Sequence, residues 1–187
     1  ARAGKHVLCE KPLVISLEEF DAVEAAARDC KVVVFEGFAN LHHPSIRHAL
    51  EMVEAGALGD VQFINGWGYF TLPADDVNNI RLQPELGGGS LWDVGVYPVS
   101  LAITVAGVGA PVEVWGSQIT GDTGVDIAFA GQMRFANDVT AQISSGICSP
   151  PNTGLVIVGE DGALELRYPT TPMHVSDQDM KIEHTTS

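Results

Sequence analysis

The chain has 187 residues, of which 45% are hydrophobic and 18% are charged, and its formal net charge is −14. This composition is typical of a globular protein and excludes a disordered chain. Neither a nucleic acid nor an anionic membrane is an expected partner, because both select clustered lysine and arginine. No apolar run approaches the roughly 18 residues that a membrane-spanning helix needs, so no membrane span is predicted.

The cysteines and histidines predict neither a disulfide nor a metal site. Cys9, Cys30 and Cys148 form an odd, widely spaced set, which is typical of reduced thiols in a cytoplasmic protein. The six histidines form no ligand set with cysteine or carboxylate at metal-binding spacing. We therefore expect a cytoplasmic protein without a metal. Periplasmic export stays open, because the chain begins at Ala1 and its true N-terminus is expected to lie upstream.

The first part of the chain predicts a strand, a helix and a second strand. His6–Cys9 is predicted to be a short buried strand. Ser16 and Glu19 have the spacing of a capping box, which begins an amphipathic helix that runs to about Asp29. Lys31–Glu36 is a β-branched run typical of a strand covered on both faces. Together these elements are typical of the closing portion of a parallel nucleotide-binding sheet.

The central part predicts two helices with a strand between them. Pro44 suits the first position of a helix, and Gly56 suits its C-terminal stop. Residues 60–70 alternate as a strand, and a polar loop follows. Residues 87–106 are predicted to be helical for most of their length. Because Pro98 lacks an N–H, it either kinks this helix or lies in its first turns.

From Val112 onward the pattern changes to short strands. The turn sequences Ala136-Asn137-Asp138 and Glu160-Asp161-Gly162 separate neighbouring strands, which predicts antiparallel hairpins. A sheet of this kind with helices on one face is an α+β layer. Alternating apolar residues such as Ile127, Phe129 and Met133 indicate a covered face, either by helices or by a partner. The predicted strands are residues 112–120, 125–135, 139–145, 155–159 and 163–167.

Two short motifs carry chemistry. Glu10-Lys11-Pro12 follows a predicted strand, and the carboxyl ends of strands are where open α/β sheets bind ligands, although such a tripeptide alone is often a surface turn. Asp93 and Tyr97 follow three glycines and lie one helical turn apart. A phenol beside polar groups can transfer a proton. Taken alone, Tyr97 also fits a packing residue and Asp93 a helix-entry residue.

Together these motifs resemble the Gfo/Idh/MocA family of NAD(P)-dependent oxidoreductases. A strand with Glu-Lys-Pro and, later, the pattern Gly-Gly-Gly-x-x-x-Asp-x-Gly-x-Tyr carry the resemblance, which runs from Gly4 to about Leu166. Glu36-Gly37-Phe38, His42-His43-Pro44 and Asn79-Ile80-Arg81 look most like the branch of glucose-fructose oxidoreductase, xylose dehydrogenase and dimeric dihydrodiol dehydrogenase. Many members carry a histidine where this chain has Tyr97.

The resemblance implies hydride transfer between a nicotinamide cofactor, NADP or NAD, and a sugar, polyol or diol hydroxyl. In this interpretation Tyr97 is the general acid/base, and the charge of Lys11 favours its phenolate. Asp93 fixes a substrate hydroxyl or orients the pair. Arg81 is implied to line the substrate pocket with Asp93. The aromatic residues Trp67, Phe70 and Trp92 are candidates for the floor of that pocket. A surface salt bridge for Arg81 and a core position for Trp92 are the alternatives.

Further residues are implied to contact the cofactor. They are Glu10, Lys11, Pro12 and His43. Glu10 would orient near the nicotinamide or hold Lys11, and a helix-entry role for His43 is an equal alternative. The resemblance implies a small-molecule substrate and a homodimer or higher homo-oligomer formed through the open face of the sheet.

One departure from the family concerns the phosphate-binding turn. No Gly-x-Gly-x-x-Gly occurs in the chain, although that turn normally cradles the dinucleotide pyrophosphate. We therefore expect a fragment: residues 1–40 as the C-terminal remnant of a Rossmann parallel sheet, and residues 41–187 as an α+β substrate and oligomerisation domain with a mostly antiparallel, open-faced sheet, truncated at its C-terminus. Two alternatives stay open, a non-catalytic dinucleotide- or sugar-binding regulator and an inactive oligomerising fragment.

Overall fold

The computed structural model describes residues 1–73, 76, 78–168 and 181–186. The chain forms two compact units, Ala1–Ala39 and Asn40–Ser187. The first is α/β, and the second is α+β.

The first unit contains two parallel strands and one helix. Strand β1 spans Val7–Glu10, helix α1 spans Leu17–Cys30, and strand β2 spans Val34–Gly37. The two strands pair in parallel, which confirms the predicted sheet type. Ser16 is the N-cap of α1 and accepts a hydrogen bond from the Glu19 N–H, whereas the Glu19 carboxylate accepts from Ile15 rather than from Ser16.

The apolar strands of this unit are less covered than the sequence predicts. Leu8 is 76% exposed, Phe35 is 49% exposed, and no residue of Ala1–Ala39, all of which the structure describes, is buried. The predictions of a buried first strand and of a second strand covered on both faces were therefore wrong for this unit. The physical reason is that two strands and one helix provide no second layer for the opposite face of the sheet.

The second unit is built on a seven-stranded sheet. Its strand order is β4-β5-β6-β3-β7-β8-β9. Every neighbouring pair is antiparallel except β3 and β6, which are parallel, so the prediction of a mostly antiparallel sheet is confirmed. The strands are β3 (Val61–Thr71), β4 (Glu113–Thr120), β5 (Asp126–Arg134), β6 (Thr140–Gly146), β7 (Cys148–Gly159), β8 (Gly162–Tyr168) and β9 (Lys181–Thr186).

Two strands differ from the sequence prediction. Strand β7 begins at Cys148, whereas the sequence analysis placed its start at residue 155. The prediction left out the first half of the strand because that half contains Pro150 and Pro151, which cannot donate to a strand ladder. The pairing of β3 with β7 shifts register near these prolines. Strand β9 was not predicted at all, because its alternation is polar rather than apolar.

Two helices cover one face of this sheet. Helix α2 spans Pro44–Glu54, with Pro44 in its first turn and a positive φ at Gly56, as predicted. Helix α3 spans Val96–Ala106 and carries Pro98 in its first turn, which was one of the two predicted positions. The buried core contains residues from the helices and from the inner sheet face, among them Ile46, Ile64, Leu101, Ala102, Met133, Phe135, Ala141, Ile157 and Leu164.

The outcome for the predicted covered face of β5 follows from this core. Met133 is buried in it, and Phe129 packs against it, so this chain itself covers that face. Phe63, Trp115 and Ile119 are exposed and belong by strand register to the opposite, open face.

The segment that ends in α3 is more apolar over its length than the sequence analysis allowed for. Pro84–Ala106 is long and apolar enough, by length and composition alone, to cross a membrane, and it is the one such run in the part of the chain that the structure describes. Of its most apolar window, 56% is buried inside the protein. This burial is the behaviour of a core helix, and Leu101 and Ala102 lie in the core cluster.

Candidate active site

The candidate site is built on a π-helical turn. Residues Leu91–Gly95 form this turn, and it continues directly into α3. Asp93 lies in the turn, and Tyr97 lies in the first turn of α3, where its side chain is buried. Single π-helical turns inserted before or within α-helices occur frequently at functional sites. The sequence predicted a helix here but not this turn.

Two glycines of β3 seat the turn against the sheet. A Cβ at Gly66 would lie 2.7 Å from Pro98 Cβ, and a Cβ at Gly68 would lie 2.6 Å from Val94 Cγ2. Any larger residue at either position would push the helix away from the sheet. The small residues of β3 therefore fix how closely the segment that carries Asp93 and Tyr97 approaches the core.

Asp93 is held by an ion pair with Arg81. The Arg81 Nε lies 2.6 Å from Asp93 Oδ2, and the two side chains are 32% and 16% exposed. The Arg81 guanidinium also lies over the Phe70 ring, 5.6 Å from its centroid. An arginine stays cationic over the whole physiological pH range, so Asp93 faces a permanent positive charge. The structure thus gives Arg81 a salt bridge that is partly buried and whose partner is the candidate carboxylate.

The glycine cluster brings Arg81 to Asp93. The N–H groups of Gly88 and Gly89 donate to the carbonyls of Gln83 and Arg81, at 3.0 and 2.9 Å. A Cβ at Gly88 would lie 2.7 Å from the Arg81 carbonyl oxygen, so only glycine permits this approach. The close neighbour of these glycines is thus the backbone of residues 81–83.

Sequence reasoning missed a buried polar network behind the turn. Ser90, Asp126 and Ser145 are all buried, and Asp126 accepts hydrogen bonds from the Ser90 hydroxyl and from the Leu91 N–H. The only sequence signal was an acidic residue between Val125 and Ile127 at the start of an apolar strand, where burial of a carboxylate is costly unless it is hydrogen-bonded.

The other candidate site residues of the second unit make contacts different from those of the Arg81–Asp93 pair. His43 is the N-cap of α2, and its Nδ1 accepts from the Ser45 N–H at 3.3 Å, which is the helix-entry role. Trp92 is 39% exposed and is not a core residue. Trp67, which the sequence grouped with the pocket aromatics, points to the open face and donates from Nε1 to Asn152 Oδ1 at 2.9 Å.

Lys11 and its neighbours lie in the first unit. Glu10 ends β1, the Lys11–Pro12 peptide bond is cis, and Lys11 is half-buried. The Leu13 N–H donates to Glu36 Oε1 at 2.7 Å, so the last part of β2 holds the segment that follows Pro12. Lys11 is thus placed at the carboxyl end of a parallel strand, as predicted.

The residues that the structure describes contain no cluster suited to a metal ion. No group of three or more histidine, cysteine, aspartate or glutamate side chains in those ranges is arranged to hold one.

Comparisons with known proteins agree on a family. Residues 46–165 match the GFO/IDH/MocA C-terminal domain, and residues 1–38 match the oxidoreductase family with an NAD-binding Rossmann fold. The D-xylose 1-dehydrogenase (NADP(+)) 2 of Haloferax volcanii is 37% identical over 166 residues, which is 88% of this chain and 50% of that protein. The dTDP-3,4-didehydro-2,6-dideoxy-alpha-D-glucose 3-reductase of Actinomadura kijaniata is 32% identical over 187 residues, 95% of this chain and 55% of that protein.

A solved structure gives the same answer for the fold. The aldose-aldose oxidoreductase of Caulobacter crescentus, complexed with glycerol, superposes with a TM-score of 0.88 at 29% identity, over 99% of this chain and 54% of that one. The chain spans about half the length of the relatives that it matches. The match to the Rossmann-fold family ends at residue 38, within one residue of the end of the first unit. The match to the C-terminal domain covers most of the second unit. The chain belongs to the GFO/IDH/MocA family of oxidoreductases.

Proposed function

We propose that the protein carrying this chain is an NAD(P)-dependent oxidoreductase that acts on a hydroxyl of a sugar, polyol or diol, or on the matching carbonyl. The observation that carries the proposal is the Arg81–Asp93 ion pair on the π-helical turn that leads to the buried Tyr97. Family membership supports the reaction class, and the names of the relatives, a sugar dehydrogenase and a sugar ketoreductase, support the substrate class.

Tyr97 is proposed as the group that moves the proton. When a hydroxyl is oxidised, its carbon loses a hydride and its oxygen loses a proton, and the phenolate of Tyr97 takes that proton; reduction reverses both steps. A free tyrosine titrates near ~10, so a nearby cation is needed to favour the phenolate near neutral pH. We propose that Lys11 supplies this charge and hydrogen-bonds the reacting oxygen.

Asp93 is proposed to bind a second hydroxyl of the substrate. Because Arg81 holds its Oδ2 at 2.6 Å, the carboxylate is confined to one orientation before a substrate arrives. A carboxylate can only accept hydrogen bonds, so a polyhydroxylated substrate is favoured over a simple alcohol. Trp92, which is 39% exposed and precedes Asp93 in the turn, is proposed to offer an apolar face to the sugar or diol ring, with Arg81 beside it.

We propose that four residues contact one end of a dinucleotide. The bound nicotinamide would accept or donate the hydride. Glu10, Lys11 and Pro12, at the carboxyl end of β1, are proposed to contact that end, and His43 is proposed as a further contact. The chain has no Gly-x-Gly-x-x-Gly turn, so none of its residues is assigned to the pyrophosphate.

We also propose that the protein forms a homodimer through the open face of the sheet. Phe63, Trp115 and Ile119 on that face are between 55% and 65% exposed. Large exposed apolar side chains that share one sheet face are typical of an interaction surface. The sedimentation coefficient of the wild type and of a Trp115→Glu variant tests this: a shift from dimer to monomer supports it, and a wild-type monomer contradicts it.

The proposed activity is tested with the full-length gene product that carries this sequence. Quenching of protein fluorescence by NADPH and NADH measures cofactor binding, and absorbance of the reduced cofactor measures turnover with D-xylose, D-glucose and a trans-dihydrodiol. We expect binding of one cofactor and oxidation of at least one of these compounds. Tight cofactor binding without turnover on any alcohol or ketone contradicts the enzyme and favours a regulator instead, and absence of binding contradicts both.

A further inference from the structure

We propose that Asp126 is a positioning residue for the candidate active site, whose carboxylate sets the place of the π-helical turn and thereby of Asp93 and Tyr97. The inference rests on the proposed function for its catalytic consequence, whereas its structural part is independent of it. No motif of the family resemblance and no step of the proposed reaction includes Asp126.

Asp126 contacts the beginning of the π-helical turn. Its Oδ2 accepts the Ser90 hydroxyl at 2.5 Å and the Leu91 N–H at 2.9 Å. Leu91 is the first residue of the π-helical turn, and Asp126 is the first residue of β5. One carboxylate oxygen thus fastens the beginning of the turn to the sheet by a side-chain and a main-chain donor at once.

A second strand holds the same serine. The Ser90 and Ser145 hydroxyl oxygens lie 2.9 Å apart, and Ser145 is in β6, next to β5. The Ser90 hydroxyl has a single hydrogen, which it donates to Asp126, so Ser145 is the donor to Ser90. The order Ser145 to Ser90 to Asp126 is a chain of hydrogen bonds that ends on a charge, and charged acceptors make the stronger hydrogen bonds.

Two glycines, one just before the turn and one at its last residue, make this fit close. Gly89 has a φ of +110°, and a Cβ there would overlap the Asp126 carboxylate. A Cβ at Gly95 would lie 3.0 Å from Ser145 Oγ. Together with the Leu91 N–H, these close contacts place both the start of the turn and its last residue against the network.

The chemistry of a buried carboxylate favours a role beyond packing. Ser90 and Ser145 are at most 1% exposed and Asp126 is 9% exposed, and such burial of a carboxylate is costly unless donors compensate it. A π-helical turn is a rare and short conformation. A strong hydrogen-bond acceptor at the first N–H of the turn stabilises this conformation from outside the helix. Asp93 lies two residues beyond Leu91, so a displaced turn displaces Asp93 from Arg81.

The test compares Asp126→Ala, Asp126→Asn and the control Asp122→Asn in the full-length gene product. Asp122 lies in the exposed turn before β5, so its substitution makes the same charge change without touching the network. Turnover is measured per folded molecule, below the unfolding temperature, with the substrate that gives turnover in the wild type. We expect Asp126→Ala to lower kcat by roughly 10- to 100-fold, because small displacements of reacting groups carry losses of this size.

The expected pattern separates positioning from plain stability. Asp126→Asn keeps one acceptor oxygen and is expected to recover part of kcat. In both Asp126 variants the cofactor affinity is expected to change less than about 2-fold, because the lost contact is local. Asp122→Asn is expected to match the wild type. Ser145→Ala, which removes only the last link of the chain, covers the case in which Asp126→Ala does not fold, with an expected loss of about 3-fold. Folded Asp126→Ala or Ser145→Ala protein with wild-type kcat overturns the inference.

A second readout does not depend on turnover. Amide hydrogen exchange of residues 89–95 is expected to be at least about 10-fold faster in Asp126→Ala than in Asp122→Asn, because the turn opens locally. Unchanged exchange of this segment overturns the positioning role. A wild type without any turnover, but with this change in exchange, contradicts the proposed function and leaves the positioning of the turn supported.

Discussion

The two units of the chain bury their apolar side chains to very different degrees. In the first, no residue is buried, and Leu8, Phe20 and Phe35 are exposed although they lie in a regular strand, helix and strand. In the second, two helices cover one face of a seven-stranded sheet, and Phe135 and Ile157 are fully buried. The contrast teaches that apolar pattern and capping are enough to specify an element, whereas burial needs a second layer. The candidate carboxylate–arginine pair lies in the unit that has this second layer.

The largest effect is expected when two phenylalanines, one in each unit, are replaced by alanine and compared. Phe135→Ala is expected to lower the free energy of unfolding by about 3–5 kcal/mol, because it leaves a cavity in the core. Phe35→Ala, at a side chain that is 49% exposed, is expected to cost less than about 1 kcal/mol. Urea denaturation of both variants of the 187-residue chain, followed by circular dichroism, measures the two values. Equal losses would break the comparison.

The next effect compares two glycines with positive φ. Gly89→Ala adds an overlap with Asp126 to the strain of its φ of +110° and is expected to destabilise by more than about 3 kcal/mol. Gly4, with a φ of +69°, has open space around its Cβ position, so Gly4→Ala is expected to cost only about 1 kcal/mol. Thermal unfolding of the two variants, side by side, measures the difference. A loss of stability for Gly89→Ala that is no larger than the loss for Gly4→Ala would contradict the close contact between the glycine cluster and Asp126.

The smallest expected effect belongs to the exposed edge of the second unit. A hydrogen bond and the charge of Arg134 lower the pKa of Glu113 below its ordinary value of 4.5, on strand β4, where every residue is exposed. Because the folded pKa is lowered, the ion pair stabilises the fold above the ordinary pKa of 4.5 and loses its contribution as the pH falls through the lowered value.

This effect is measured as the acid dependence of the urea midpoint in the wild type and in Glu113→Gln. The variant is expected to lose less stability on acidification than the wild type, by a margin small beside that of Phe135→Ala, since exposed ion pairs contribute little. An acid dependence that is identical in the two proteins would contradict the role of the Glu113–Arg134 pair.

Local signals predicted much of the fold. Pro44 and Gly56 delimited α2, and Ala136-Asn137-Asp138 predicted the β5–β6 hairpin, in which Asp138 has the positive φ that such turns favour. These are short-range signals, and each is complete within a few neighbouring residues. They remained valid in both units, as the capped helix α1 also illustrates.

Long-range relations account for what the sequence did not predict. Asp126 meets Ser90 across 36 residues, and nothing near either residue indicates the other. The π-helical turn is not encoded by a periodicity of its own, so residues 91–95 were predicted as ordinary helix. The family resemblance selected Asp93, Tyr97 and Arg81 as candidates, and the ion pair between Arg81 and Asp93 became visible only in three dimensions.

The central claim is that the buried tyrosine of the second unit moves the proton in an oxidoreductase, and one pair of variants tests it most directly. Tyr97→Phe removes the hydroxyl at the candidate site, and Tyr69→Phe removes one on the opposite sheet face, where it bonds the Ser144 hydroxyl. Steady-state oxidation of the best substrate is measured beside fluorescence titration of the cofactor. We predict that Tyr97→Phe lowers kcat by about 10²- to 10⁴-fold with unchanged cofactor binding, while Tyr69→Phe keeps its activity. Wild-type turnover in Tyr97→Phe would contradict the account.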